Sequence, residues 1–278
     1  MQCVTASAGH NGLVPRLIAT DLDGTVVRHD GVISDRTRAA LKLAADAGAE
    51  VVFVTGRPPR WLGDVTAAFG HVGLAICGNG AMVYDLREDA VIDRHFIPAA
   101  TVLDVARVLR PALPGVAFAA ESEEHGIGRE PGYVTRFDTG LEFRVAPLEQ
   151  LVEGPLIKLL ARTEDLDSDA MLTIARPLLE SLVEVTHSTV ARSGGLLEIS
   201  GSGVSKASTL SLLCAERGIG SDEVVAFGDM PNDLSMLRWA GTAYAMASGH
   251  PDVVAATALT APPCNDDGVA QVLESLFS

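Results

Sequence analysis

Four apolar runs in this chain each end abruptly in a polar cluster, and this pairing constrains the fold more than any other feature. Leu17-Ile18-Ala19 leads into Asp21-Leu22-Asp23-Gly24-Thr25. The run from Val51 to Val54 leads into Thr55-Gly56-Arg57, and the run from Leu74 to Cys77 into Gly78-Asn79-Gly80. The run from Val224 to Phe227 leads into Gly228-Asp229-Met230-Pro231-Asn232-Asp233. Strands that are apolar throughout, rather than at alternate positions, belong to a sheet covered on both faces. Helix signals lie between them: Ser34 as an N-cap before Ala39, Ala40, Leu41 and Leu43, and Leu210, Leu213 and Cys214 before Gly218. Alternating strands and helices predict an α/β fold with a parallel-sheet core. In such a sheet the strand ends of one sense share an edge, where ligands bind. The four polar clusters are therefore expected to converge.

The middle of the chain differs. From Val83 to Thr189 the polar clusters are absent. Pro155 to Leu160, Asp169 to Leu182 and Val183 to Thr186 read as strand, helix and strand, and the Gly-rich stretch from Glu121 to Arg144 as a hairpin or exposed loop. This predicts an α+β cap over 83–189 inserted into a core of 16–82 and 190–278. Residues 1–15 read as a flexible lead-in. They lack the basic start and apolar stretch of a signal peptide.

The formal net charge of -15 argues against nucleic acid and anionic membrane surfaces as partners. No apolar run has the length of a membrane span. The four cysteines form no C-x-x-C pair and read as reduced thiols, which points to the cytoplasm. The seven histidines carry no zinc spacing.

Asp21 and Asp23 are two apart in extended chain, so both side chains point the same way. Gly24 permits the turn that follows. A turn with local hydrogen bonds is the alternative for Asp-x-Asp-Gly alone. The acidic company of Asp229 and Asp233 favours a functional site. Two carboxylates at 4 Å repel by about 4 kcal/mol at an effective dielectric of roughly 20, so a cation is required. All-oxygen ligation suits Mg²⁺. A carboxylate that attacks phosphorus forms an acyl phosphate, and the reaction needs positive charge and a proton donor. Thr55, Gly56 and Lys206 supply polar groups for an anion, with an N-cap and a surface lysine as their plainer readings. Arg57 contacts substrate or pairs with an acid. Asn79 gains weight only from its position after a strand.

Taken together, Asp21-Leu22-Asp23-Gly24-Thr25, Thr55-Gly56-Arg57, Lys206 and Gly228-Asp229-x-x-Asn232-Asp233 resemble the four motifs of the haloacid dehalogenase superfamily. Their order and spacing resemble its Cof-type phosphatases, with a Rossmann-like core and an α/β cap between the second and third motifs. The resemblance implies that Asp21 is nucleophile and metal ligand. It implies that Asp23 is general acid and then base, its backbone carbonyl touching the metal. Asp229 would be a further Mg²⁺ ligand, and Asn232 and Asp233 would order the loop and the metal's water shell. Thr55, Gly56, Lys206 and Asn232 would hold the phosphoryl group. The family often has Gly after the motif lysine, where this chain has Ala207. Candidate cap contacts are His125, Arg129, Arg136, Arg144 and Lys158, each equally readable as a surface charge. The implied substrate is a small phosphorylated metabolite, with sugar phosphates, pyridoxal phosphate and flavin mononucleotide typical of such enzymes. Two alternatives stand: a phosphosugar mutase using the same aspartyl-phosphate, and a non-catalytic phosphoacceptor or metabolite sensor.

Overall fold

Apolar strands joined by helices bury both faces only when helices cover the sheet on each side. The computed structural model describes residues 14–69, 73–135, 143–188 and 194–278, and the elements named below belong to these. In chain order the strands are β1 Leu17–Thr20, β2 Glu50–Val54, β3 Leu74–Cys77, β4 Met82–Asp85 and β5 Ala90–Arg94, then β6 Ala117–Ser122, β7 Gly126–Arg129, β8 Arg144–Val145, β9 Lys158–Thr163, β10 Val183–Thr186 and β11 Gly195–Gly201. The last three are β12 Val224–Gly228, β13 Thr242–Met246 and β14 Leu259–Ala261. One sheet has the order β14-β13-β12-β1-β2-β3-β4-β5, the other β10-β11-β9-β6-β7-β8.

In the first sheet β14 through β3 run parallel, and β4 and β5 extend it antiparallel at one edge. Side chains alternate between its faces. Ile18, Phe53, Val225 and Phe227 pack with Leu41 and Ala44 of helix Asp35–Asp46 and with Leu273 of helix Gly268–Phe277. Leu17, Ala19, Val52 and Ala226 pack on the other face with Leu210 and Leu213 of helix Lys206–Glu216 and Met236 of helix Leu234–Trp239. Ser34 caps the first of these helices, its Oγ accepting from the Thr37 N–H at 3.0 Å.

The second sheet is antiparallel apart from the β7–β8 pair. Helices Ala99–Ala112 and Ser168–Leu179 cover one face, packing on Phe118, Leu159, Ala161, Leu197 and Ile199. Strand alternation then turns Glu121, Lys158, Leu160, Arg162, Leu196 and Glu198 to the opposite face. That face looks onto the crevice of the first sheet.

The sheet pairings shift the expected crossing points. The sequence reading places them at 82/83 and 189/190. In the structure β4 and β5 hydrogen-bond into the core sheet, and β11 hydrogen-bonds to β9 and β10 in the cap sheet. The chain therefore crosses after Arg94, where Ile97 bridges Leu156, and returns after Gly201. The antiparallel edge strands carry no catalytic-type cluster, so they read as belonging to the insert. The stretch after Glu121 forms a hairpin through β6 and β7, and residues 136–142 lie outside the described part.

Phe118 is fully buried in the cap cluster. Phe118→Ala is expected to cost about 3–5 kcal/mol in urea unfolding.

Candidate active site

The C-terminal ends of β1, β2, β3 and β12 meet at one edge of the core sheet, at the point where connections diverge to either side of β1. Asp21 follows β1 and is buried, its N–H donating to the Phe227 carbonyl at 3.0 Å. The Leu22 carbonyl then accepts from the N–H groups of Thr25, Val26 and Val27, closing a tight loop. Gly24 has φ +80°, and a Cβ there would lie 2.3 Å from Asp229 Oδ2. Glycine is therefore required both by the turn and by the approach of the β12 loop. That loop is fixed in turn: Thr25 Oγ1 donates to Asp229 Oδ1 at 3.1 Å, and the His250 N–H to the Asp229 carbonyl at 2.7 Å.

Asp21, Asp229 and Asp233 bring carboxylate oxygens within 4.8 Å of one another. Lys206 lies among them with its side chain fully buried. Its Nζ donates to Asp21 Oδ1 at 2.5 Å and to Asp233 Oδ1 at 2.6 Å. Asp233 Oδ2 accepts from the N–H groups of Asp229 and Met230 at 3.0 and 2.9 Å. Both oxygens of Asp233 are thus engaged by the protein. Burial raises the pKa of Asp21 well above the carboxylate range, with Lys206 opposing and the neighbouring acids adding to the rise. Burial and the charge of Asp233 push Asp229 up to about 7. Burial alone would lower the pKa of Lys206, but Asp21 and Asp233 outweigh it and hold the ammonium above its ordinary value. Three carboxylates against one ammonium leave two negative charges when all are ionised. A divalent cation with oxygen ligands fits that deficit, and Asp21 and Asp229 have the oxygens least committed elsewhere.

A cavity of about 360 Å³ opens above Asp21 between core and cap. Asp23, Thr55, Gly56, Arg57 and Asn232 line its core side, and Tyr133, Phe143, Lys158, Arg162 and Glu198 are on its cap side. Thr55 is buried, and its Oγ1 accepts from the Arg57 N–H at 3.1 Å. Arg57 pairs with acids: Nε and NH2 donate to Asp23 at 2.8 and 2.5 Å, and NH1 donates to both oxygens of Asp64 at 2.9 Å. The Asp23 carboxylate stands apart from the Asp21 cluster, exposed and held by Arg57.

Among the cap candidates, Lys158 reaches the crevice and donates to the Gly56 carbonyl at 2.7 Å. Arg129 donates to the Tyr133 carbonyl at 3.0 Å and lies over the Phe143 ring. Arg144 pairs with Glu153, and His125 lies beside Glu124. None of these three lines the cavity. Arg136 lies outside the described residues. Sequence reasoning missed Glu121, Arg162 and Glu198. The available signal was sparse: Lys158 and Arg162 stand an even number of residues apart in β9, while Glu121 and Glu198 are single charges in the otherwise apolar or small-residue strands β6 and β11. Period-2 alternation puts each on one face but does not say which.

The structure also gathers histidines that look scattered in sequence. His187 Nε2 and His250 Nε2 lie 2.9 and 3.2 Å from the carboxylate of Asp169. His250 Nδ1 accepts from the Asp252 N–H, so its Nε2 carries the proton and donates to Asp169. A metal ligand needs the reverse arrangement. The trio is a hydrogen-bonded clasp between the cap, which carries Asp169 and His187, and the core, which carries His250.

A family model described as haloacid dehalogenase-like hydrolase matches residues 18–273. The chain belongs to the haloacid dehalogenase-like hydrolases. Within them its enzyme class is that of its phosphatase relatives, the phosphoric monoester hydrolases. It is 27% identical over 274 residues to a 5-amino-6-(5-phospho-D-ribitylamino)uracil phosphatase of Bacillus subtilis (strain 168), covering 95% of this chain and 98% of that one. It is 28% identical over 277 residues to the pyridoxal phosphate phosphatase of Escherichia coli (strain K12), covering 95% and 99%. Among solved structures, a subclass IIB sugar phosphatase of the superfamily matches with a TM-score of 0.79 at 23% identity, covering 94% of this chain and 98% of that one. A Thermotoga maritima protein matches with a TM-score of 0.70 at 27% identity, covering 94% and 97%.

The raised pKa of Asp229 has a stability consequence. Without metal, the folded state keeps a proton that the unfolded chain, at the ordinary 3.8, has already lost. Stability from this group therefore falls as pH rises from about 4 to about 7. In EDTA, Asp229→Asn, which cannot ionise, is expected to gain in melting temperature relative to wild type as pH rises from about 4 to about 7, the window of that titration. Parallel profiles would contradict the burial of this charge.

Proposed function

We propose that the chain is a Mg²⁺-dependent phosphatase that hydrolyses a small phosphorylated metabolite through an aspartyl-phosphate on Asp21. The observation that carries this reading is a buried carboxylate at the cavity floor with an ammonium on one side and a second acid on the other. Asp21 and Asp229 would hold the ion, with the Asp23 carbonyl and waters completing its shell. Asp233 serves by anchoring Lys206 and the loop N–H groups. When bound, the ion offsets the repulsion among these acids and adds positive charge next to the phosphoryl oxygens.

In the first step an Asp21 oxygen attacks phosphorus, the bond from phosphorus to the leaving oxygen breaks, and Asp23 gives that oxygen a proton. The products are the alcohol and an acyl phosphate on Asp21. In the second step Asp23 takes a proton from water as the water oxygen attacks phosphorus. The bond from phosphorus to Asp21 breaks, which releases phosphate and restores the carboxylate. Asp23 must leave Arg57 to reach the reacting oxygens. Thr55, the Gly56 backbone, Lys206 and Asn232 would hold the phosphoryl group.

The cap roof over the cavity favours small substrates, in keeping with relatives named for a phosphoribitylamino-uracil and for pyridoxal phosphate. Cys77, Cys214 and Cys264 are free and buried, and no helix among the described residues is long and apolar enough to cross a membrane. These features support a cytoplasmic location.

Hydrolysis of p-nitrophenyl phosphate is expected to vanish in EDTA and return with Mg²⁺. Asp21→Asn is expected to abolish turnover, and Asp23→Asn to lower kcat by about 10²–10⁴-fold. Full activity of Asp21→Asn would remove the proposal. Turnover of a sugar phosphate that depends on an added bisphosphate, with little net phosphate release, would favour the mutase instead.

A further inference from the structure

Glu198 sits on β11 of the cap, but its carboxylate crosses to the core. Its Oε2 accepts from Asn79 Nδ2 at 2.9 Å and from Lys158 Nζ at 3.2 Å, and its Oε1 accepts from Ser188 Oγ. Burial alone would raise its pKa, but Lys158 outweighs that and holds it below its ordinary value. An ionised carboxylate only accepts hydrogen bonds. The Asn79 amide must therefore present its nitrogen to Glu198, and its oxygen then faces the other way. That oxygen accepts from Asn232 Nδ2 at 3.0 Å. The Asn232 amide is oriented in turn, leaving one N–H of its nitrogen and the buried Oδ1, which has no partner among the described residues. Asn232 lines the cavity with Asp21.

The chain of bonds has one direction. Reversing any amide would set N–H against N–H or oxygen against oxygen, and in a buried site such a mismatch leaves polar groups unpaired. The surroundings keep the members in place. Asn79 has φ 58°, a left-handed conformation that Asn tolerates, and its backbone N–H donates to the Thr55 carbonyl at 3.0 Å. At Gly56 a Cβ would lie 3.1 Å from Glu198 Oε2 and 3.2 Å from Asn79 Oδ1, so the three groups are packed tightly around a bare backbone.

We propose that Glu198 and Asn79 are positioning residues whose hydrogen-bond polarity fixes the orientation of the Asn232 amide, so that its N–H faces the phosphoryl site. The inference rests on the phosphatase reading. It gives a cap residue a part in phosphate binding without contact with the phosphate.

The test is a double-mutant cycle on the full chain with Mg²⁺, reading p-nitrophenyl phosphate hydrolysis and inhibition by inorganic phosphate. Glu198→Gln keeps the shape and frees the polarity. It is expected to raise KM and the phosphate inhibition constant about fivefold, with kcat changed less. Asn79→Asp sets two carboxylates against each other and should weaken phosphate binding at least as much. The combined Glu198→Gln/Asn79→Asp variant restores the direction, since the glutamine amide donates to the new carboxylate, which accepts from Asn232. Its inhibition constant is expected to return to within about threefold of wild type. A role in packing alone gives no such rescue. Single variants within about twofold of wild type, or a double variant as weak as the product of the singles, would overturn this inference alone. A wild type that releases no phosphate would overturn the phosphatase reading and this inference with it. Should a single variant fail to fold, the wild-type side-chain amide protons of Asn79 and Asn232 decide. They are expected to exchange slowly with solvent, and free exchange would overturn the proposal.

Discussion

The Lys206 ammonium, buried between Asp21 and Asp233, is the interaction on which the rest of the site depends. Three acids crowd together at the end of the sheet, and this cation lets them be buried there. A buried ion pair that loses one partner typically costs about 3–5 kcal/mol, because an uncompensated charge remains. The lysine is fixed by local structure. It opens helix Lys206–Glu216, where Ser205 and Ser208 form a capping box: Ser205 Oγ accepts from the Ser208 N–H, and Ser208 Oγ from the Ser205 N–H. The cap sets the backbone at Lys206, and full burial fixes its side chain. Asp233 then spends both oxygens on Lys206 and its own loop, so Asp21 and Asp229 keep the less committed oxygens on which the proposed metal and phosphoryl sites rest.

Topology makes this crowding possible. β1 lies between β2 and β12, so the connections leave its C-terminal end in opposite directions and open a crevice there. Asp21 and Asp229 come from strands far apart in sequence that are neighbours in the sheet. The glycine at 24 lets their loops close on each other. The cap works by a simpler rule. Its sheet buries one face against two helices, and strand alternation obliges the other face to carry whatever the crevice needs.

Much of the core was legible because apolar strands ending in Asp, Thr, Gly and Asn are a strong local signal. Asp21, Thr55, Asn79 and Asp229 fall at strand ends as the runs imply. The cap was less legible for physical reasons. Its edge is set by strand pairing: β4 pairs with β3, and β5 with β4, although no polar motif marks either strand. Lys158 and Glu198 look like surface charges in a linear reading, and only the sheet register brings them to one face. The clasp of Asp169 with His187 and His250 joins residues with no shared spacing at all. Arg57 was open between substrate and acid, and the structure pairs it with Asp23 and Asp64.

The central claim, that Asp21 is the group that takes the phosphoryl transfer, is tested most directly by trapping. Enzyme with Mg²⁺ is mixed with a hydrolysable phosphomonoester, quenched in acid within the first turnover, and treated with borohydride. An acyl phosphate is reduced under these conditions, and peptide mass spectrometry locates it. The account predicts homoserine at position 21 and at no other acid. Turnover that leaves Asp21 unmodified, or reduction at Asp23 or Asp229 instead, would contradict it.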